Sequence, residues 1–201
     1  MFDCSSLGIP KAVILDRDGV INQDSDDYVR TVDQWQPIAG SIEAIGRLCD
    51  AGYQVYIATN QSGIGRGYYD LDELHAMHRK MQALLDAVGG HIAAIEFCPH
   101  TPDVNCDCRK PLAGMIVNIE QHMGCSARGV PMVGDSLRDL EAGMLRGCTP
   151  VLVKTGKGER TLKKIAQDPL WTGLTICDDL NAVVDQILSG ELYEQASNTR
   201  A

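Results

Sequence analysis

The sequence contains no apolar run that approaches the roughly 20 residues a helix needs to cross a lipid bilayer. Its first residues, MFDCSSLGIPK, also lack the basic and then apolar pattern that is typical of a secretory signal. Together these absences favour a cytoplasmic protein that has no membrane partner. Cysteine thiols in that compartment generally stay reduced.

Basic residues and aromatic residues are also scarce. The 18 lysines and arginines are outnumbered by 27 aspartates and glutamates, which gives a net charge of -9. This balance argues against a nucleic-acid partner, because such proteins need a basic face that neutralises phosphates. It does not exclude a small anionic substrate at a locally cationic site. Aromatic residues are only 5% of the chain, so aliphatic side chains must form most of the core.

Short apolar segments alternate with amphipathic segments along the chain, and a long polar loop is expected over 23–40. The alternation predicts a three-layer α/β/α, Rossmann-like fold with a central parallel sheet. We expect a single domain over 1–201 with its core over about 11–188. The predicted strands are 11–16, 53–59, 92–97, 129–135, 150–156 and 174–177. The predicted helices are 41–52, with Ser41 as its cap and Gly52 at its end, 70–90, 114–124, 136–147 and 179–188.

Two aspartates follow the first predicted strand in the segment VILDRDGVIN. Side chains two apart on extended backbone point to the same side, so Asp16 and Asp18 should face one point and Arg17 should face away. Two carboxylates that lie close together repel unless a cation or a shared proton relieves them. Magnesium suits such hard oxygen ligands. Asp135, at the end of another predicted strand, could complete this magnesium site.

A hydroxyl and a lysine add to these carboxylates. Thr59 opens the segment TNQSG, and Lys110 lies in CRKP. Carboxylates, a hydroxyl, a lysine and a metal are the groups that phosphoryl transfer requires, because its catalysis is mostly positioning and charge neutralisation. Two acids that follow Asp135 on the next predicted helix, Asp139 and Glu141, are interpreted as solvated surface residues.

Three of the eight cysteines lie in the segment CPHTPDVNCDC, residues 98–108. With the histidine of this segment they form a tetrahedral set typical of zinc, and four protein ligands leave no open position for water, which indicates a structural site. A reduced metal-free loop and a redox pair are the alternatives. The four expected zinc ligands are Cys98, His100, Cys106 and Cys108.

The remaining cysteines and histidines carry no recognisable site pattern. Cys4, Cys49, Cys125, Cys148 and Cys177 are scattered and are interpreted as small core or surface residues. The other four histidines are interpreted as surface residues, including a pair three positions apart on the long predicted helix; they are His75, His78, His91 and His122.

Four segments together resemble the haloacid dehalogenase superfamily of phosphatases: LDRDGVIN, ATNQSGIGRG, CDCRKP and MVGDS. Within it, they look like the D-glycero-D-manno-heptose-1,7-bisphosphate 7-phosphatases. The histidinol-phosphate phosphatases share much of this pattern. The resemblance extends from about residue 11 to 188, and the segments occur in the order found in the family.

The resemblance implies a mechanism at the matching positions. Asp16 would attack phosphorus and form an aspartyl phosphate. Asp18 would protonate the leaving oxygen and later take a proton from the hydrolytic water. Thr59 and Lys110 would hold the phosphoryl oxygens. Asp16, Asp135 and the backbone carbonyl of Asp18 would bind magnesium.

The resemblance also implies an activity, namely magnesium-dependent removal of the 7-phosphate of heptose 1,7-bisphosphate in the supply of ADP-heptose for bacterial lipopolysaccharide. It further implies a zinc loop and a monomer. Many members carry a threonine where this chain has Val20, so any contribution of that hydroxyl is absent.

Short intervals separate the site segments, and none is long enough for a lid domain over the core. The site should therefore be open, with short loops that contact a small phosphorylated sugar. Arg66 and Arg109 would suit a second phosphate on that sugar. The expected substrate-binding residues are Asp24, Asp27, Asn60, Gln61, Ser62, Arg66 and Arg109.

Three alternative functions remain open on the residues alone. A histidinol-phosphate phosphatase would use the same catalytic groups. A phosphoacceptor signalling domain would also combine aspartates, a hydroxyl residue and a lysine on a parallel sheet, but its acceptor usually follows the third strand. A zinc-stabilised binding protein would show no magnesium-dependent turnover.

Overall fold

A parallel sheet of six strands forms the core of the computed structural model, which describes residues 9–193. The strand order is β3-β2-β1-β4-β5-β6, and every pairing is parallel. This order places β1 in the middle and reverses the direction of winding between β1 and β4, where α/β sheets form ligand crevices. The strands are β1 Ala12–Leu15, β2 Gln54–Asn60, β3 Ala94–Cys98, β4 Pro131–Gly134, β5 Thr149–Val153 and β6 Thr175–Cys177.

Strand β1 shows why the sheet is covered on both faces. All four of its side chains are fully buried. Val13 and Leu15 pack into one hydrophobic cluster, whereas Ala12 and Ile14 pack into another on the opposite face. An uninterrupted apolar strand is the expected pattern when helices lie on both sides of a parallel sheet.

Seven helices complete the three layers among residues 9–193. Helices α1, α3 and α7 pack on the face of Val13 and Leu15, and α4, α5 and α6 pack on the other face. The predicted α/β/α architecture is therefore confirmed, and no separate cap domain is inserted in the part of the chain that the structure describes. The helices are α1 Ser41–Asp50, α2 Ser62–Gly65, α3 Leu71–Asp86, α4 Gly114–Met123, α5 Leu137–Met144, α6 Gly158–Ile165 and α7 Leu180–Ser189.

Three short elements were not predicted from the pattern: α2, α6 and a 3-10 helix at Pro169–Trp171. The sequence of α6, GERTLKKI, has only two large apolar residues, so its helical period is weak. The prediction that Ser41 caps helix α1 was wrong. Gly40, with φ of 80°, occupies the cap position, and the Ser41 hydroxyl instead donates to the carbonyl of Ile21 at 2.7 Å.

The loop over 23–40 is irregular, as expected, but α3 fixes its position. Lys80 donates to the carbonyls of Val32 at 2.9 Å and of Trp35 at 2.6 Å, and the Val32 amide donates to Glu73 at 2.6 Å. The Trp35 side chain is fully buried, and the Lys80 ammonium lies 5.8 Å from the centre of its ring. The chain therefore leaves β1 through a loop that is anchored to a helix.

The scattered cysteines divide between core and partly buried positions. Cys148 and Cys177 are buried thiols and Cys49 is a partly buried thiol. Cys125 is disulfide-bonded, contrary to the expectation that thiols outside the loop at 98–108 stay reduced. Cys4 and the C-terminal segment 196–201 lie outside the described residues.

Each helix among residues 9–193 is too short or too polar to cross a bilayer.

Replacing Ile14 by alanine tests the contribution of the central strand. Ile14 is fully buried, so Ile14→Ala should lower the free energy of unfolding by about 2–5 kcal/mol, because it leaves a cavity. Ile176 in the edge strand β6 is 38% exposed, so Ile176→Ala should cost less than about 1 kcal/mol. Urea unfolding measures both values. Equal losses in the two variants would contradict this assignment of the core.

Candidate active site

A cavity of about 250 Å³ lies beyond the carboxyl ends of β1, β2 and β4. It brings together side chains that are up to 141 positions apart in the chain, from Asp16 to Lys157, because β1, β2, β4 and β5 are neighbours in the sheet. The residues that the sequence singled out and that line this cavity are Asp16, Asp18, Asp24, Thr59, Asn60, Gln61, Ser62, Arg109, Lys110 and Asp135.

Lys110 lies at the base of this cavity and is 2% exposed. Its ammonium lies 3.0 Å from Asp16 Oδ1 and 2.5 Å from Asp139 Oδ1, and it donates to the carbonyl of Ala58 at 2.6 Å. Burial alone would lower the pKa of Lys110, but the carboxylates of Asp139 and Asp16 raise it above its usual value. The lysine therefore remains charged and bridges two acids.

The interpretation of Asp139 as a solvated residue was wrong, since this side chain is 1% exposed. Helix α5 begins at Leu137, three positions after β4 ends at Gly134, so Asp139 in its first turn lies against the end of the strand. The Asp139 carboxylate accepts from the amide and the hydroxyl of Ser136, at 3.0 Å and 2.6 Å. The segment SLRD is a capping box, and that local signal could have indicated a residue held at the strand end.

Three buried carboxylates form one cluster in the cavity. Oxygens of Asp16, Asp135 and Asp139 all lie within 4.8 Å of one another. Burial and the neighbouring Asp139 carboxylate raise the pKa of Asp16 to about 7, although Lys110 opposes this shift. Burial, with Asp16 and Asp139 nearby, raises the pKa of Asp135 to about 8. Hard, mutually repelling oxygens of this kind fit a magnesium ion, whose charge would relieve the repulsion.

Two glycines allow the backbone to approach this cluster closely. Gly19 has φ of 86° and Gly156 has φ of 56°, which are values that favour glycine. A Cβ atom at either position would overlap the Asp135 carboxylate. That carboxylate also accepts from the Lys157 amide at 2.7 Å. The chain segments after β1 and β5 are therefore packed against the end of β4.

The expectation that Arg17 faces away from the site was wrong. The alternation of an extended strand ends at Leu15, and the next residues form a turn in which the Arg17 carbonyl accepts from the amides of Ile21 and Asn22. Arg17 is consequently 1% exposed, and its guanidinium donates to both carboxylate oxygens of Asp18 at 3.0 Å.

Asp18 is surrounded by hydrogen-bond donors. Besides Arg17, the side-chain amides of Asn22 and Gln61 donate to it at 2.9 Å and 2.7 Å. Burial would raise the pKa of Asp18, but the Arg17 guanidinium and these hydrogen bonds lower it below its usual value. Asp18 is not part of the close carboxylate cluster, so only its backbone carbonyl remains as an expected magnesium ligand.

The segment after β2 supplies positioning contacts. The Gln61 amide donates to the Thr59 hydroxyl at 2.8 Å, and Thr59 is 1% exposed. The Asn60 side chain exchanges two hydrogen bonds of 3.1 Å with the backbone of Lys110. Asn60 therefore fixes the lysine peptide, which precedes a cis bond to Pro111.

Ion pairs border the mouth of the cavity. Asp24 lies 2.6 Å from the Lys157 ammonium, and Asp26 pairs with Arg160 at 3.0 Å. Sequence reasoning missed Lys157, which lies at the start of the unpredicted helix α6. Asp27 and Arg66, two expected substrate-binding residues, are exposed and lie outside the residues that line this cavity.

The cysteine loop brings its four expected ligand atoms within 4.8 Å of one another. The Cys98 sulfur lies 3.8 Å from that of Cys106 and 3.6 Å from His100 Nδ1, and the Cys108 sulfur lies 3.3 Å from the same nitrogen. Two sulfurs bound to one tetrahedral zinc at about 2.3 Å would be about 3.8 Å apart. The spacing therefore fits zinc.

Of the histidines interpreted as surface residues, His78 was misjudged. It is partly buried, and its Nε2 lies 3.4 Å from Arg17 Nη1. Burial, together with the Arg17 charge, lowers the pKa of His78 to about 3. The other three, His75, His91 and His122, are exposed.

Comparison with known proteins assigns the family. The model for haloacid dehalogenase-like hydrolases matches residues 12–144. A relative from Pseudomonas aeruginosa, a D-glycero-beta-D-manno-heptose-1,7-bisphosphate 7-phosphatase, is 56% identical over 88% of this chain and 97% of its own length. The chain belongs to the haloacid dehalogenase-like hydrolases. A relative of this hydrolase with the same name, from Bordetella bronchiseptica, is 51% identical over 89% of this chain and 98% of its own.

Two solved structures resemble this hydrolase in fold. The D,D-heptose 1,7-bisphosphate phosphatase from B. bronchiseptica, complexed with magnesium and phosphate, superimposes with a TM-score of 0.85 at 50% identity. The corresponding phosphatase from Burkholderia thailandensis gives 0.68 at 43% identity. Each comparison covers 89% of this chain and 98% of the other. The magnesium complex of the first relative agrees with the carboxylate cluster described above.

The raised pKa values predict how magnesium binding depends on pH. Protons compete with the cation for Asp16 and Asp135, whose pKa values are raised to about 7 and about 8. Magnesium should therefore raise the melting temperature more at about pH 9 than at about pH 6. Without a cation, Asp16 and Asp135 hold protons in the folded state that they have lost in the unfolded state between about pH 4 and 8, so the contribution of these two groups to stability should fall as pH rises through that range.

Calorimetry with and without magnesium measures this dependence. Asp135→Asn should abolish the magnesium-induced shift, and Asp33→Asn, at an exposed acid, should leave it unchanged. A magnesium-induced rise in melting temperature that is the same at about pH 6 and about pH 9 would refute the assignment of Asp16 and Asp135 as magnesium ligands.

Proposed function

We propose that this hydrolase removes the 7-phosphate of D-glycero-β-D-manno-heptose 1,7-bisphosphate, in the supply of ADP-heptose for lipopolysaccharide. The strongest support is 56% identity to a relative that carries the name of this activity. In this chain, Asp16 and Asp135 belong to the carboxylate cluster, and Lys110 pairs with Asp16. The β anomer is chosen because the relatives from Pseudomonas and Bordetella carry it in their names. A cytoplasmic location and a monomeric state stay predictions from the sequence.

Asp16 is the proposed nucleophile. Its Oδ1 accepts from the Arg17 amide at 2.7 Å and lies 3.0 Å from the Lys110 ammonium, so the rotation of the carboxylate is fixed. One carboxylate oxygen forms a bond to phosphorus while the bond from phosphorus to the sugar oxygen breaks. The product of this step is an aspartyl phosphate, which water then hydrolyses.

Asp18 is the proposed acid and base. Its lowered pKa keeps it ionised in the empty site, so it must take up a proton when the phosphate monoester binds. It donates that proton to the sugar oxygen as that oxygen leaves, and it accepts a proton from the water that attacks the aspartyl phosphate. It lies two positions after Asp16 and lines the same cavity.

Charge neutralisation completes the proposed mechanism. Lys110 and the Thr59 hydroxyl hold the phosphoryl oxygens. Bound by Asp16, Asp135 and the carbonyl of Asp18, magnesium supplies positive charge beside the phosphoryl group. Asp139 keeps Lys110 protonated and in place.

A structural zinc in the loop over 98–108 is a further part of the proposal. Only one residue separates Cys108 from Lys110, and Arg109 Nη1 donates to the His100 carbonyl at 3.1 Å. A metal that fixes Cys108 and His100 would therefore also fix the peptide that carries Lys110. Arg109 lines the cavity and is proposed to contact the sugar or its second phosphate.

A phosphate-release screen tests the activity. With magnesium, the heptose bisphosphate should be the best substrate among sugar phosphates, sugar bisphosphates and histidinol phosphate. Asp16→Asn should lower turnover by at least about 10³-fold, because the nucleophile is lost, while circular dichroism shows an intact fold. Preference for histidinol phosphate would replace the proposed substrate, and full activity of Asp16→Asn would remove the proposed mechanism.

Cys106→Ser tests the zinc site. The variant should retain less than about one zinc per ten chains and lose turnover, because the loop no longer fixes Lys110. Cys49→Ser, at a partly buried thiol away from the loop, is the matched control and should keep both zinc and activity. Elemental analysis and phosphate release measure the two quantities. Unchanged zinc content in Cys106→Ser would contradict the assignment.

A further inference from the structure

The donors around Asp18 belong to a larger network that extends to helix α3. Arg17 Nη2 donates to both Asp18 oxygens at 3.0 Å and to Gln61 Oε1 at 3.1 Å. Tyr69, just before α3, donates to the same Gln61 oxygen at 2.6 Å. The other terminal nitrogen of the guanidinium, Nη1, lies 3.4 Å from Nε2 of His78, a residue of α3. Asp18 is thus connected through Arg17 to a helix that does not itself line the carboxylate cluster.

The chemistry of the contact between Arg17 and His78 fixes the state of the histidine. A guanidinium has donors and no acceptor, so His78 Nε2 must accept. The imidazole is then neutral and carries its proton on Nδ1. The low pKa of His78, caused by burial and by the Arg17 charge, agrees with this state. A protonated imidazole would instead repel the guanidinium.

We propose that Arg17 and His78 are positioning residues for Asp18: His78 orients the guanidinium, and the guanidinium orients the carboxylate that transfers the proton. The inference rests on the proposed role of Asp18. It explains why an arginine is buried between two catalytic aspartates and why one of two histidines on α3 is turned inward. Neither the Arg17 nor the His78 side chain has a proposed contact with the phosphoryl group, so loss of the contact between them should affect proton transfer and not the formation of the bond to Asp16.

An activated substrate separates these two effects. With 4-nitrophenyl phosphate, the leaving nitrophenolate needs little protonation, so phosphorylation of Asp16 should remain fast when Asp18 is misplaced. Hydrolysis of the aspartyl phosphate still needs Asp18 as base. A variant with a misplaced Asp18 should therefore release a burst of about one nitrophenolate per chain and then turn over slowly, as Asp18→Asn should.

His78→Leu is the first test, with His75→Leu on the exposed part of the same helix as matched control. On 4-nitrophenyl phosphate, His78→Leu should lower kcat about tenfold, the effect of one lost hydrogen bond, and should show the burst. The ratio kcat/KM should change little, because phosphorylation of Asp16 stays fast. His78→Gln offers an amide oxygen to the guanidinium and should recover kcat to within about threefold of the wild type. His75→Leu should behave as wild type.

Arg17→Lys is the second test, and it keeps the positive charge. Arg17 contacts His78 through Nη1 and contacts Asp18 and Gln61 through Nη2, whereas lysine has only one terminal nitrogen. In Arg17→Lys, kcat should therefore fall by about 10- to 100-fold with the same burst. Melting temperatures near that of the wild type ensure that the comparison is made on folded protein.

Two results would overturn the inference. One is a loss of kcat without a burst in the folded His78→Leu and Arg17→Lys variants. The other is equal activity of His78→Leu and the wild type. Failure of the proposed function would give different results. The wild type itself would not hydrolyse phosphate monoesters, or the Asp16→Asn variant would still hydrolyse them.

Discussion

The buried ion cluster of Lys110 with three carboxylates is the interaction on which the site depends. One ammonium cannot balance Asp16, Asp135 and Asp139, and all of these side chains are nearly inaccessible to water. An uncompensated buried charge costs several kcal/mol, so the cluster must either hold protons or bind a cation. The raised pKa values of Asp16 and Asp135 express the first outcome, and a magnesium ion would produce the second. The three carboxylates therefore lie where a cation would stabilise them, and they destabilise the folded protein when no cation is bound.

The backbone makes this crowding possible. Because β1 and β4 are adjacent and parallel, their carboxyl ends place Asp16 and Asp135 side by side. Gly19 and Gly156 then allow two loops to come within contact of the Asp135 carboxylate, where any side chain would overlap it. Thr155 ties these loops together by donating to the Gly19 carbonyl at 2.6 Å.

Local patterns in the sequence were sufficient for the strand ends, the zinc-type loop and the alternation of strands and helices. Asp16, Thr59 and Asp135 were placed correctly at strand ends because a buried apolar run stops at a definite residue. The directions of Arg17 and His78 could not be obtained in this way. Arg17 lies in a turn where strand alternation no longer applies, and the burial of His78 depends on an arginine 61 positions away.

The strand order also has a consequence for the order in which the protein can fold during synthesis. β1 lies at the centre of the sheet, yet one of its two neighbours, β4, begins only at Pro131. The ion pair of Asp26 with Arg160 joins positions 134 apart. A nascent chain that ends before β4 exposes one whole edge of its central strand and has only part of the carboxylate cluster. A cation held by this cluster would therefore stabilise the chain only late in translation, after most of it has left the ribosome.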